Sequence, residues 1–175
     1  MPEPDQLERF ERLIMPHVPA AFNLARWLTR DPHDAEDVVQ EATMRALRGI
    51  DGFHGGDARC WLLTIVRNTC FSWRKQNRQS QPAALMEDDL ADVEGGAAAP
   101  DAALLRAADA EMVRQAIDSL PTEFREVLVM REIEGLSYKE IAAVADLAPG
   151  TVMSRLSRAR QRLQQILAPK VHEEA

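Results

Sequence analysis

The sequence predicts an all-α protein built as two small helical domains joined by a flexible acidic linker. Three observations carry that expectation. Only 5% of the 175 residues are aromatic, β-branched runs are scarce, and long stretches rich in Ala, Leu, Arg, Glu and Gln make helix propensity dominant. Apolar residues recur at a helical rather than an alternating period. Between Gln79 and Asp109, Pro82, the Gly95-Gly96 pair, an Ala run and Pro100 are mixed with dense acid, with no sustained apolar period before Leu104, the pattern of a tether. The expected division is therefore a first domain over 1–78, a linker over 79–109 and a second domain over 110–175. Each flanking piece is near the lower limit of what folds alone.

In the first piece, Leu13, Ile14, Val18, Ala21, Phe22, Ala25 and Leu28 mark one buried helix from Leu7 to Leu28, with Pro16 and Pro19 as local disturbances. Asp31-Pro32 then supplies a capping acid and a proline at a first helical position, and Asp34, Glu36 and Asp37 crowd the opening turn where the helix dipole favours them. That helix runs to about Arg48, where Gly49, Gly52, Gly55 and Gly56 break the pattern. The loop GIDGFHGGD holds one aromatic, Phe53, expected to be exposed. After a cap at Asp57, a third helix reaches about Arg78, with Trp61, Leu62, Ile65, Thr69 and Trp73 on its core side and Arg67, Phe71, Arg74 and Arg78 on the other.

The second piece begins with a helix from Ala107 to Ser119, followed by one that starts at Pro121, carries Phe124, Val127, Leu128 and Ile133, and stops at Gly135 as a left-handed cap. Ser137-Tyr138-Lys139-Glu140 is a capping box, a short helix IAAVA follows, and Pro149-Gly150 opens a longer helix through Leu167. Two helices joined by a tight turn, the second strongly basic, form the helix-turn-helix pattern. Val152, Leu156, Ala159, Leu163 and Ile166 fall on one face of that last helix and Arg155, Arg158 and Arg162 on another, with Ser154 and Ser157 near its start.

The formal charge of −7 conceals a strong asymmetry. Met86 to Glu111 alone carries eight acids against one base, whereas Arg59 to Gln79 and Thr151 to Lys170 each carry five cations and no acid. A helix with only cations cannot neutralise itself through i,i+4 pairing, so the last helix suits phosphates and base edges. In the third helix, Phe71 and Trp73 interleave with the cations, and Phe53 lies nearby in the sequence, an arrangement suited to a DNA surface where unstacked bases rest on aromatic rings.

Other classes find no support. There is no Gly-rich phosphate loop, no metal-ligand cluster, and His17, His33, His54 and His172 are scattered singly, so no enzyme, cofactor or metal centre is expected. Cys60 and Cys70 form neither a disulfide framework nor a zinc set and read as structural filler. No apolar stretch is long enough to span a membrane, and MPEPDQLERF is too polar for a signal peptide, which points to the cytoplasm.

The string LPTEFREVLVMREIEGLSYKEIAAVADLAPGTVMSRLSRARQRL, Leu120 to Leu163, resembles region 4 of the extracytoplasmic-function sigma factors of bacterial RNA polymerase. DAEDVVQEATMRAL (Asp34 to Leu47) and WLLTIVRN (Trp61 to Asn68) resemble region 2 of the same family. The resemblance implies a promoter-specificity subunit that catalyses nothing itself. It implies that Asp37, Gln40 and Glu41 face the clamp helices of the polymerase β' subunit, with a further contact to the β flap, and that the loop around Phe53 captures a flipped base of the minus-ten element. Asn68, Phe71, Arg74 and Lys75 would contact that element and the melted strand. Arg155 and Arg158 become the base-edge candidates at the minus-thirty-five element, with Ser154, Ser157 and Arg162 on the backbone. An anti-sigma factor as a further partner is also implied. The chain departs from the family pattern at Ser72 to Gln76, where many members carry an acid and paired arginines and this one reads SWRKQ. Two rivals remain: a stand-alone helix-turn-helix regulator whose first domain only dimerises, and a polymerase-binding or anti-sigma-binding decoy without promoter activity.

Overall fold

The computed structural model describes residues 1–80 and 102–172, and among these it contains eight α-helices and no strand. In the first domain the expected Leu7-to-Leu28 helix is two helices, α1 (Pro4–Leu13) and α2 (Val18–Thr29), separated by a single tight turn at Met15–His17. Pro16 and Pro19 each remove an N–H donor, and together they interrupt the hydrogen-bond ladder rather than merely bending it. Both halves still turn apolar faces inward, burying Phe10 and Ile14 on one side of the break and Ala21, Leu24, Ala25 and Leu28 on the other.

Helix α3 (Pro32–Gly49) starts as the sequence indicates: the Asp31 carboxylate accepts from the backbone N–H groups of His33 at 2.8 Å and Asp34 at 3.1 Å. Those backbone donors, Asp34's first, hold the Asp31 carboxyl below its ordinary pKa. After a short turn at Ile50–Gly52, Asp57 caps α4 (Ala58–Ser80) by accepting from the Cys60 N–H at 3.1 Å. Helices α2, α3 and α4 pack mutually. The buried stripe of α4 is Leu62, Leu63, Val66, Thr69 and Cys70, so Trp61, Ile65 and Trp73, expected in the core, sit half-buried at its margin.

In the second domain α5 (Ala102–Asp118) begins inside the segment expected to be linker, while residues 81–101 lie outside the described residues. Helix α6 (Thr122–Leu128) continues into one wide π turn at Val129–Ile133, where the Glu134 N–H reaches back to the Val129 carbonyl at 3.0 Å. Gly135, at φ +69°, closes it. The Ser137 hydroxyl and Glu140 carboxylate then cap α7 (Tyr138–Ala145) reciprocally, and Asp146 at φ 53° turns the chain into α8 (Pro149–His172).

The two domains are not held apart. Helix α4 packs against α7 and α2 against α6, and one contiguous buried cluster runs from Phe10 to Ala159. Two charges lie inside it. Arg125 is fully buried, its guanidinium donating to the Asp118 carbonyl at 3.0 Å and the Leu120 carbonyl at 2.8 Å, which fixes the α5–α6 corner. Glu126, also buried, is paired across the domain boundary.

Phe53 corrects the sequence expectation of an exposed aromatic. It is 7% exposed, its ring stands 5.2 Å from that of Trp61, and its carbonyl accepts from the Arg9 guanidinium. Truncating a buried ring leaves a cavity, so Phe53→Ala is expected to lower unfolding free energy by about 3 kcal/mol. A urea titration followed by circular dichroism measures it; an unchanged midpoint would mean that the ring contributes nothing to packing.

Candidate nucleic-acid interface

Helix α8 has the two faces its sequence indicates. Val152, Leu156 and Ala159 are buried, whereas Ser154, Ser157, Arg158 and Arg162 are exposed and the Arg155 side chain is 27% exposed. The helix does not neutralise itself, and acids and a ring on neighbouring helices meet part of its charge. Arg160 pairs with Glu132 of the π turn at 2.7 Å, Arg155 lies 4.0 Å from Glu126, and the Arg162 guanidinium stacks 4.7 Å over the Phe124 ring. Arg158 makes no ion pair or hydrogen bond among the described residues, which leaves its donors open to solvent.

Along α4 the proposed DNA-contacting side chains divide. Asn68 and Lys75 are exposed. Phe71 is half-buried with the Arg67 guanidinium 4.5 Å above its ring, and Arg74 donates to the Thr122 hydroxyl of the second domain at 2.6 Å. Arg67, a residue the sequence placed on an open face, has a side chain only 17% exposed and forms a fork with Glu126. Phe53, buried against Trp61, is not part of this surface.

Sequence reasoning missed Glu126. A signal was present: Arg125 and Glu126 interrupt the apolar run from Phe124 to Met130, every residue of which is buried. A helix buried on all sides demands partners for its charges, although nothing local says which.

On α3, Asp37, Gln40 and Glu41 are all exposed and lie on one face with Met44, which is 47% exposed. Glu41 pairs with Arg45 one turn on. Beside this face runs an apolar groove of about 650 Å³, lined by residues including Phe10, Met15, Phe22, Val39 and Met44.

Where α4 begins, Cys60 does more than the structural filling expected of it. Its Sγ donates to the Glu140 carboxylate at 3.3 Å, and Asp57, Cys60 and Glu140 bring their ligating atoms within 4.8 Å of one another. Three such atoms are a conceivable cation set. Each already has a protein partner, however: Asp57 caps α4, Glu140 caps α7, and the thiol donates between them. Burial, then the Glu140 hydrogen bond, pushes the Cys60 thiol up to about 12, while the Ser137 N–H and then the thiol draw Glu140 down to about 2. Cys70, buried at 1% exposure, does act as filler.

Because the fold raises the thiol's pKa, this contact contributes fully below pH 9.0, the thiol's ordinary value, and is lost as pH climbs toward about 12. Alkylation follows the thiolate. At pH 8 Cys60 should react with iodoacetamide about a hundredfold or more slowly than a free thiol, and Glu140→Gln should speed it. Peptide mapping of the alkylated chain measures the rate, and reaction as fast as glutathione's would overturn the assignment.

Residues 13–80 match the family described as Sigma-70 region 2, and residues 110–163 match Sigma-70, region 4. The chain is 33% identical over 171 residues to the RNA polymerase sigma-H factor of Pseudomonas aeruginosa, covering 94% of this chain and 89% of that protein. It is 34% identical over 167 residues to the ECF RNA polymerase sigma factor SigE of Mycolicibacterium smegmatis, covering 95% of this chain but only 64% of that longer protein. The sigma factor RpoE of Bartonella quintana, solved in complex with the anti-sigma factor NepR, superposes with a TM-score of 0.72 at 28% identity over 91% of this chain and 96% of that one. With both domains matched in order and a near-full-length relative at this identity, the chain belongs to the extracytoplasmic-function group of sigma-70 family RNA polymerase sigma factors, which give that enzyme its promoter specificity.

Proposed function

We propose that this chain binds core RNA polymerase through the exposed α3 face of Asp37, Gln40 and Glu41, with the second domain on the β flap, and reads two promoter elements with α4 and α8. The observation that carries the proposal is the pairing of one basic helix with each sigma-70 region, the second helix set in helix-turn-helix geometry by the Ser137–Glu140 box and the left-handed Asp146. A dimerisation module would need neither the α3 face nor the cations and aromatics of α4, and the region 2 match extends over the first domain. The stand-alone regulator is therefore the weaker reading.

At the minus-thirty-five element, Arg155 and Arg158 would reach base edges from the N-terminal half of α8 while Ser154, Ser157 and Arg162 hold the backbone. At the minus-ten element, Asn68, Phe71, Arg74 and Lys75 would receive the melted strand, Phe71 giving a base a stacking platform. Phe53 enters as support for the loop, since Trp61 covers its ring. Strand opening draws on the exchange of DNA–DNA for protein–DNA contacts and requires no bond-making group. The RpoE complex supports an anti-sigma factor as partner. The cytoplasm, where core polymerase works, is the proposed location, consistent with the absence of any helix long and apolar enough to cross a membrane among the described residues.

Run-off transcription with purified core polymerase tests the whole reading. Asp37→Ala/Glu41→Ala should compete for core polymerase about tenfold less well than the parent, a loss of ~1.4 kcal/mol, with unchanged thermal stability because both side chains are exposed. Equal competition by the double variant would move the contact elsewhere.

Arg158→Ala and Arg162→Ala should differ in kind. An arginine bidentate to guanine supplies about 1–3 kcal/mol of discrimination, whereas a phosphate contact weakens all sequences alike. Arg158→Ala is therefore expected to flatten preference at one or two minus-thirty-five positions and Arg162→Ala to lower affinity evenly. A single-base promoter library at two salt concentrations measures both, and uniform losses would mean that α8 grips DNA without reading it.

A further inference from the structure

Helix α8 begins with very little side chain. Pro149 and Gly150 open it, a Cβ at Gly150 would meet nothing within 4 Å, Thr151 is half-buried and Val152 is fully buried. The first exposed flexible side chain of the helix is therefore Met153, which at 57% is, after Met1, the most exposed large apolar side chain among the described residues. Other exposed apolar side chains have apolar company. Met15 and Met44 border the groove beside α3, and Val113 and Ile133 border a second apolar groove with Trp27 and Leu163. Met153 borders neither and stands on a polar surface. At about 100° per residue, Met153 and Arg158 lie on opposite sides of Ser154 and Ser157, all of them exposed. Helix-turn-helix docking sets the N-terminal residues of such a helix against base edges, so Met153 meets the major groove ahead of Arg158. A thioether has no hydrogen to donate and accepts only weakly, so it reads no polar edge. The groove offers it one apolar group, the C5 methyl of thymine.

We propose that Met153 is a specificity-determining residue at the minus-thirty-five element and packs against the C5 methyl of a thymine there. The inference rests on the assignment of α8 to that element. Contact removes both the thioether and the methyl from water, which is the gain an exposed apolar side chain on a polar face otherwise forgoes. Three rotatable bonds let the methionine follow the methyl as the helix settles in the groove. One face of α8 thus reads the duplex in two ways, Arg158 by hydrogen bonds to a guanine edge and Met153 by apolar contact.

The test uses holoenzyme assembled from core polymerase and the full-length chain, bound to the preferred member of the single-base promoter library. Each thymine of its minus-thirty-five element is replaced singly by deoxyuridine, which deletes the methyl and leaves every hydrogen-bonding edge in place. The parent is expected to lose about fourfold in affinity at one thymine, the worth of roughly one methyl group removed from water. Met153→Ala should bind thymine and deoxyuridine alike at that position. Met153→Leu, which keeps the apolar bulk, should keep the methyl effect, and Met153→Gln, of similar length but polar, should lose it. All three variants should melt at the parental temperature, because the side chain is exposed. A parent indifferent to deoxyuridine at every thymine overturns the proposal, and so does a Met153→Ala variant that still distinguishes the two bases. Cytosine and 5-methylcytosine are compared at the same positions, since they differ by the same methyl. An effect of Met153 confined to 5-methylcytosine would assign the contact to methylated DNA and overturn the assignment to thymine. If the parent shows no sequence preference anywhere in the element, the reading of α8 fails as a whole. If the preference stands and the methyl makes no difference, the Met153 assignment alone is wrong.

Discussion

A carboxylate withdrawn from water costs several kcal/mol unless its charge is met by well-placed donors, and Glu126 is withdrawn almost completely. Its principal partner, Arg67, lies 59 residues away on another domain. Much of the architecture follows from satisfying that one group. Helix α6, only seven residues long, has every residue from Phe124 onward buried because it sits between α2 of the first domain and α8 of its own. Arg125, the residue before Glu126, ties the turn into α6 to the carbonyls of Asp118 and Leu120, so the backbone that presents the carboxylate is itself fixed. The merged core running from Phe10 to Ala159 is the packing counterpart of this polar contact.

The chemistry of that contact bears on reversibility. A boundary made only of apolar surface is broken at a cost proportional to the area exposed, with no solute able to replace what is lost. A buried ion pair contributes less net stability than an apolar substitute often would, because desolvation consumes most of the Coulomb gain. In exchange it is exchangeable: another anion that reaches Arg67 and Arg155 offers them an equivalent partner. The boundary between the domains is accordingly rich in such contacts, with Arg67–Glu126, Arg74–Thr122, Asn23–Glu134 and Cys60–Glu140 all crossing it. Each is made of donors and acceptors that water can equally satisfy.

Local chemistry was legible in the sequence wherever it decided the structure. The Asp31-Pro32 start of α3, the Ser137–Glu140 capping box, the left-handed Gly135 and the buried and exposed faces of α8 depend on residues within a turn or two of one another. The break between α1 and α2 was marked by Pro16 and Pro19 but underestimated, since one proline bends a helix that two, three residues apart, interrupt. What the sequence concealed was tertiary. Phe53 looks exposed in a Gly-rich loop, yet Trp61, eight residues on, returns to cover it. Arg67 looks solvated, and Cys60 looks like filler, because their partners Glu126 and Glu140 lie in the other domain. Periodicity identified the faces of the basic helices without identifying what those faces touch.

The two proposed DNA surfaces are unequally covered at the domain boundary. Arg158 and Arg162 remain exposed on the outer side of α8, and only Arg155 turns back toward Glu126. On α4, Arg67 and Arg74 are engaged by the second domain and Phe71 is half-hidden, leaving Asn68 and Lys75 outside. Because the whole chain carries a charge of −7, its attraction to DNA depends on local cation blocks rather than on the average. The cations left accessible are mainly those on the outer face of α8, whereas Arg67 and Arg74 of α4 are engaged by the second domain. The domain boundary therefore covers mainly the helix proposed to receive the melted strand and much less the helix proposed to read the duplex, so the two proposed surfaces differ in how much of their charge already has a protein partner.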